Sequence, residues 1–101
     1  MGEGAYEIRW TELAVEDYNI VVNYLLENWS IKVAEDFITI IERRIKTLSG
    51  QPFIGIASET KPEIRSRLIT KHNRLYYRIA DNTIELLNLF NTRKDPENNP
   101  Y

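Results

Sequence analysis

The sequence predicts an α+β fold, a βααβββ two-layer sandwich with an α-hairpin packed on one face of a small, mainly antiparallel, curved sheet. Three observations predict it. Two successive stretches carry the helical apolar period with only a short joint between them. Three later stretches alternate with period two and are separated by turn signals. The length, 101 residues, suits one domain and leaves no room for a second. The expected domain spans 1–101, with 1–4 and 97–101 flexible at either end.

Each element has its own signature. Tyr6, Ile8 and Trp10 alternate with Glu7 and Arg9, which reads as a short strand. Thr11 is an N-cap, and Glu12, Glu16 and Asp17 suit the positive end of a helix. Ala14, Tyr18, Val21, Val22, Leu25 and Trp29 then recur at spacings of three and four. Asn28-Trp29-Ser30 interrupts the period, and Ser30 caps a second helix whose apolar stripe is Ala34, Phe37, Ile38, Ile41, Ile45 and Leu48. Arg43, Arg44 and Lys46 suit its negative end, and Gly50 and Pro52 stop it. A joint this short forces an antiparallel helix pair. Residues 50–63 read as a loop. Strands follow at about 64–70, 74–80 and 83–90, with Asp81-Asn82 and His72-Asn73 as turns. The tail from Arg93 is polar and broken by prolines.

Composition removes whole classes of function. With no cysteine there is no disulfide scaffold, thiolate metal site or cysteine nucleophile. One histidine and carboxylates without a loop spacing leave no metal site, and no Gly-rich phosphate loop is present, so no cofactor is expected. Apolar runs are too short to span a bilayer, and a cytoplasmic protein with no membrane contact is the expectation. The net charge of −2 hides a gradient. Residues 1–60 hold five Lys/Arg against ten Asp/Glu, whereas 61–78 hold six basic residues against one acidic. Such separation sets up a local field that the whole-chain charge does not report.

The two turns fix which side chains share a face. With Asp81-Asn82 as the turn, Ile79 faces Ile84, Arg78 faces Glu85 and Tyr77 faces Leu86. With His72-Asn73 as the other, Leu68 faces Tyr77 and Arg67 faces Arg78. Ile64, Leu68, Leu75, Tyr77, Ile79, Ile84 and Leu86 then pack on the helices. Arg65, Arg67, Ile69, Lys71, Arg74, Tyr76, Arg78, Leu87 and Leu89 share the uncovered face. Opposed arginines cost stability. Five cations around one tyrosine on such a face suit a phosphate-bearing or carboxylate-rich ligand. A solvated face that blunts sheet edges is the plainer alternative. Trp10 and Trp29 are read as core or hairpin-packing residues.

The ordered set Asp17 with Tyr24, Asn28-Trp29-Ser30, Ala34 with Phe37, Pro52 and Gly55, Ile64-Arg65, Leu75-Tyr76-Tyr77-Arg78-Ile79 and Arg93-Lys94-Asp95-Pro96 resembles the RelE/ParE toxins of bacterial type II toxin–antitoxin systems. The resemblance runs from about residue 6 to residue 96. It implies a sheet-and-hairpin fold, a cognate antitoxin that masks the active surface, and growth arrest by one of two routes. RelE-like members cleave mRNA on the ribosome without a metal; ParE-like members poison DNA gyrase and are not enzymes.

For RNA cleavage the resemblance implies Arg65 and Arg93 as candidate catalytic cations. Arg67, Lys71, Arg74, Tyr76, Arg78 and Lys94 are the candidates for contact with nucleic acid or another target. His72 is read as a solvated turn residue. A degenerate member that only binds antitoxin and regulates its own operon is the remaining alternative.

Overall fold

Thr11 and Ser30 start the two helices as their sequence positions require. In the computed structural model, which describes residues 5–93 and 100–101, the Thr11 hydroxyl accepts the N–H of Ala14 at 3.2 Å and the Ser30 hydroxyl accepts that of Val33 at 3.1 Å. Strand β1 (Glu7–Trp10) leads into α1 (Glu12–Asn28), and α2 (Ile31–Gly50) returns beside it. The end of α2 is tied back to β1, where Tyr6 N–H reaches Ser49 O at 2.9 Å and Ser49 Oγ reaches Tyr6 O at 2.6 Å. The stretch read as loop holds one extra short strand, β2 (Ile56–Ala57), which pairs antiparallel with β3 (Ile64–Thr70). Strands β4 (Asn73–Ala80) and β5 (Thr83–Asn91) complete a five-stranded sheet of order β1-β5-β4-β3-β2, antiparallel except for the parallel β1–β5 edge. The expected α+β sandwich is the fold.

The core lies between the helix pair and one sheet face. Ala14, Phe37, Ile41 and Leu48 from the helices meet Leu75, Tyr77, Ile84 and Leu86 from the sheet. Trp10 packs against this core, its ring edge-on to Tyr18 at 5.4 Å. Trp29 does not. It sits at the helix joint and is 67% exposed, which removes the core half of the expectation that it is a core or hairpin-packing residue.

The β4–β5 turn is Asp81-Asn82, with Asp81 in the left-handed region at φ 56°. Arg78 faces Glu85 and Tyr77 faces Leu86, as the turn dictates. Beyond that the expected register fails twice. The β3–β4 turn is Lys71-His72, closed by Thr70 opposite Asn73, whose side chain accepts Thr70 Oγ1 at 2.7 Å. A bulge between Leu68 and Thr70 turns Ile69 inward, leaving it 2% exposed. A second irregularity, between the pairs Tyr76–Asn88 and Tyr77–Leu86, gives β5 an extra residue at Leu87 and moves Leu89 into the core.

Candidate functional site

The register decides which cations meet. Arg65 pairs with Tyr77 and Arg67 with Leu75, so both lie on the helix-side pleat of β3. Ile64, Ser66 and Leu68 pair with Arg78, Tyr76 and Arg74 on the outer pleat. The single basic face expected from the sequence is therefore split between two faces, and Arg67 does not oppose Arg78. A slip of one residue is enough to do this, because a strand's faces alternate residue by residue. Leu68 is 44% exposed for the same reason, and Leu89 is buried.

On the outer pleat the cations are engaged. Arg78 and Arg9 both pair with the Glu85 carboxylate, whose side chain is 16% exposed. Hydrogen bonding from Arg78 holds that carboxyl below its ordinary range, with the charges of Arg78 and Arg9 adding to the effect and desolvation opposing it. Arg74 Nη1 donates to Ser66 Oγ at 3.0 Å. Tyr76, a sequence candidate for contact with nucleic acid or another target, is 5% exposed.

On the helix side Arg65 acts as a clamp. Its Nη1 donates to Gly55 O at 2.8 Å and to Phe53 O at 3.3 Å, and its guanidinium lies 5.1 Å from the centre of the Phe53 ring. The same loop is pinned from below by Tyr77, whose hydroxyl donates to Pro52 O at 2.8 Å and accepts Gly55 N–H at 2.9 Å. Burial pushes the Tyr77 phenol up, against the pull of the Gly55 hydrogen bond, Arg65 and Arg67. Arg67 Nη1 is buried without a hydrogen-bond partner among the described residues.

Arg93 lies elsewhere. It follows β5, whose last residue Asn91 pairs with Asn73, while Arg65 sits opposite Tyr77. Those two levels are four residues apart on β4, roughly 13 Å at strand rise. Arg93 instead lines a groove of about 670 Å³ with His72, Asn91, Ile20, Tyr24 and Trp29. Desolvation lowers the His72 pKa below its ordinary value, with Arg93 and Lys71 adding to it, which favours the neutral imidazole. Lys71 is exposed in the β3–β4 turn. Lys94 falls outside the described residues. Sequence reading missed the company His72 keeps; the exposed Trp29 and Tyr24 come from α1 and its joint, far away in the chain.

Among the described residues no three His, Cys, Asp or Glu side chains are placed to hold a metal ion, and no helix is long and apolar enough to cross a membrane.

The family model for the ParE toxin of the type II toxin–antitoxin system parDE matches residues 8–96. The chain belongs to the ParE toxin family. Among solved structures, this ParE-family chain is similar to the chromosomal ParDE system of P. aeruginosa, at 17% identity over 88% of this chain and 98% of that one, with a TM-score of 0.73. It is similar to a YoeB/ParE toxin from Agrobacterium tumefaciens, at 18% identity over 84% and 97% of the two chains and a TM-score of 0.61. The RelBE2 toxin–antitoxin complex of Mycobacterium tuberculosis gives 21% identity over 86% and 98%, with a TM-score of 0.62. No curated protein sequence matches the chain.

Proposed function

We infer that this ParE-family toxin arrests growth in the cytoplasm by binding DNA gyrase rather than by cutting RNA, and that a cognate antitoxin masks it. The observation that carries this reading is the separation of Arg65 from Arg93. Metal-free cleavage needs a proton acceptor, a charge stabiliser and a proton donor within hydrogen-bond reach of one phosphate. Arg65 is committed to two loop carbonyls, and Arg93 stands at the other end of the hairpin. Cations arranged this way suit contact with a protein surface. Membership in the ParE family weighs in the same direction.

The antitoxin reading rests on two features. The groove beside Arg93 has an apolar floor from α1 and no carboxylate among its described lining residues, which fits an amphipathic acidic segment. Ile20 of α1 lines it and is 60% exposed, an apolar anchor for such a segment. Arg67 Nη1 offers a buried donor to a carboxylate. One observation favours RNA cleavage as a second reading: His72 and Arg93 share that groove with two exposed aromatic rings, those of Tyr24 and Trp29.

The test pairs two readouts. Purified toxin added to gyrase and relaxed plasmid should block supercoiling or trap cleaved DNA, while transcripts in arrested cells stay whole. Cut transcripts that become whole again in His72→Ala and Arg93→Ala would give the second reading the field.

A further inference from the structure

Tyr76 should be accessible and is not. Its pairing with Ser66 and Asn88 places it on the sheet face away from the helices, where Arg78 and Leu68 are exposed, yet it is 5% exposed. Tyr101 covers it. The two rings lie 5.2 Å apart at 58°, and Tyr101 Oη donates to Asn88 Oδ1 at 2.7 Å. Lys61 Nζ stands 5.9 Å from the centre of the Tyr101 ring, and Phe90 meets Tyr76 edge-on at 6.4 Å. Among the described residues Tyr101 meets a ring platform, an acceptor and a cation. Each depends on the chemistry of a tyrosine side chain and none on its being in this chain.

We propose that the outer sheet face is an aromatic-binding site whose resident occupant is Tyr101, and that a tyrosine side chain of a protein partner displaces it. Tyr101 is then an intramolecular competitor: the fraction of molecules with the site open scales the apparent affinity of any partner. A protein tyrosine suits the site better than a nucleotide. Arg78 is paired with Glu85 and Arg74 with Ser66, so among the described residues Lys61 is the cation left for a phosphate. The aromatic pair and the hydrogen bond that Tyr101 makes among the described residues have a strength that a partner can overcome, about tenfold to a hundredfold in the closed-to-open ratio. The inference rests on the toxin reading only for who the partner is.

The experiment uses the full chain with Tyr101→Ala and Tyr101→Phe. Nitration of Tyr76 by tetranitromethane, mapped by mass spectrometry, should be about tenfold faster in Tyr101→Ala and intermediate in Tyr101→Phe. Induced without antitoxin, Tyr101→Ala should arrest growth at several-fold lower inducer than the unsubstituted chain. N-acetyl-tyrosinamide should shift the Asn88 side-chain amide resonances of Tyr101→Ala, and adenosine monophosphate should not. Unchanged nitration would show that Tyr101 does not shield the face. Faster nitration with unchanged arrest, or two equally inert chains, would remove its role as competitor. A shift with the nucleotide alone would assign the site to nucleic acid. Growth arrest presupposes no target, so failure of the gyrase reading is seen separately in the supercoiling assay.

Discussion

The Asp17 carboxylate, in the first turns of α1, accepts the backbone N–H of Leu89 in β5 at 2.9 Å, joining residues 72 positions apart. It meets β5 just past the extra residue at Leu87, where the ladder is disrupted and a backbone donor needs another acceptor. Thr11 serves the same bulge from the other side, its hydroxyl donating to Leu86 O at 2.7 Å and approaching Leu87 O at 3.2 Å. The start of α1 therefore repairs the irregular strand, and the bulge brings Leu89 into the core.

Asp17→Ala should cost about 1–3 kcal/mol, the usual penalty for leaving a part-buried donor without its acceptor. Asp17→Asn keeps an acceptor oxygen and should cost less. Urea denaturation of the three proteins at pH 7 measures both. Equal midpoints would mean that the bond carries no stability.

The loop clamp gives a steric prediction. A Cβ at Gly55 would lie 2.4 Å from Tyr77 Oη and 2.8 Å from Ser66 O, and the second of these is backbone. Gly55→Ala should therefore destabilise by about 1–3 kcal/mol or more through overpacking. Tyr77→Phe, which strands Gly55 N–H and Pro52 O, should fall in a similar range of about 1–3 kcal/mol. Thermal melts of each variant provide the comparison.

Arg65 and Arg93 should behave differently. Arg65→Ala removes two hydrogen bonds to loop carbonyls and the contact with Phe53, and about 1–2 kcal/mol of stability should go with them. Arg93→Ala should leave the melting temperature within a degree or so, because surface substitutions are close to neutral. A cleavage defect in Arg65→Ala with unaltered stability would contradict the clamp.

Acid should act on two carboxylates with opposite sign. Glu85 is held below its ordinary range by Arg78, so its contribution is present at neutral pH and is lost as pH falls through its folded-state value. Asp17 is pushed up by burial, with Glu16 adding and the Leu89 bond opposing. Its share of stability therefore declines as pH rises through the carboxylate range. Urea midpoints between pH 3 and 7 should show a shallower acid-side loss in Glu85→Gln and a steeper one in Asp17→Asn.

Much of the fold was legible because it is written locally. Thr11 and Ser30 announce their helices, Asp81-Asn82 announces its turn, and the apolar periods point the stripes inward. The bulges were not, since one inserted residue has no turn chemistry of its own. A trace was present: Leu68-Ile69 and Leu86-Leu87 break strict alternation with adjacent apolar residues, and each pair marks a register change. Missing the one in β3 reversed the face assigned to Arg65 and Arg67, to which the basic-face reading was most sensitive. The groove that joins Arg93 and His72 to Trp29, and the cover that Tyr101 places on Tyr76, need long-range contacts that periodicity does not encode.

Supercoiling of relaxed plasmid by purified gyrase, with rising amounts of this toxin, tests the proposed target most directly. Activity should fall in a dose-dependent way or cleaved DNA should accumulate, and adding the cognate antitoxin should reverse the effect. Full supercoiling at a large molar excess of toxin that still arrests growth in cells would contradict gyrase as the target.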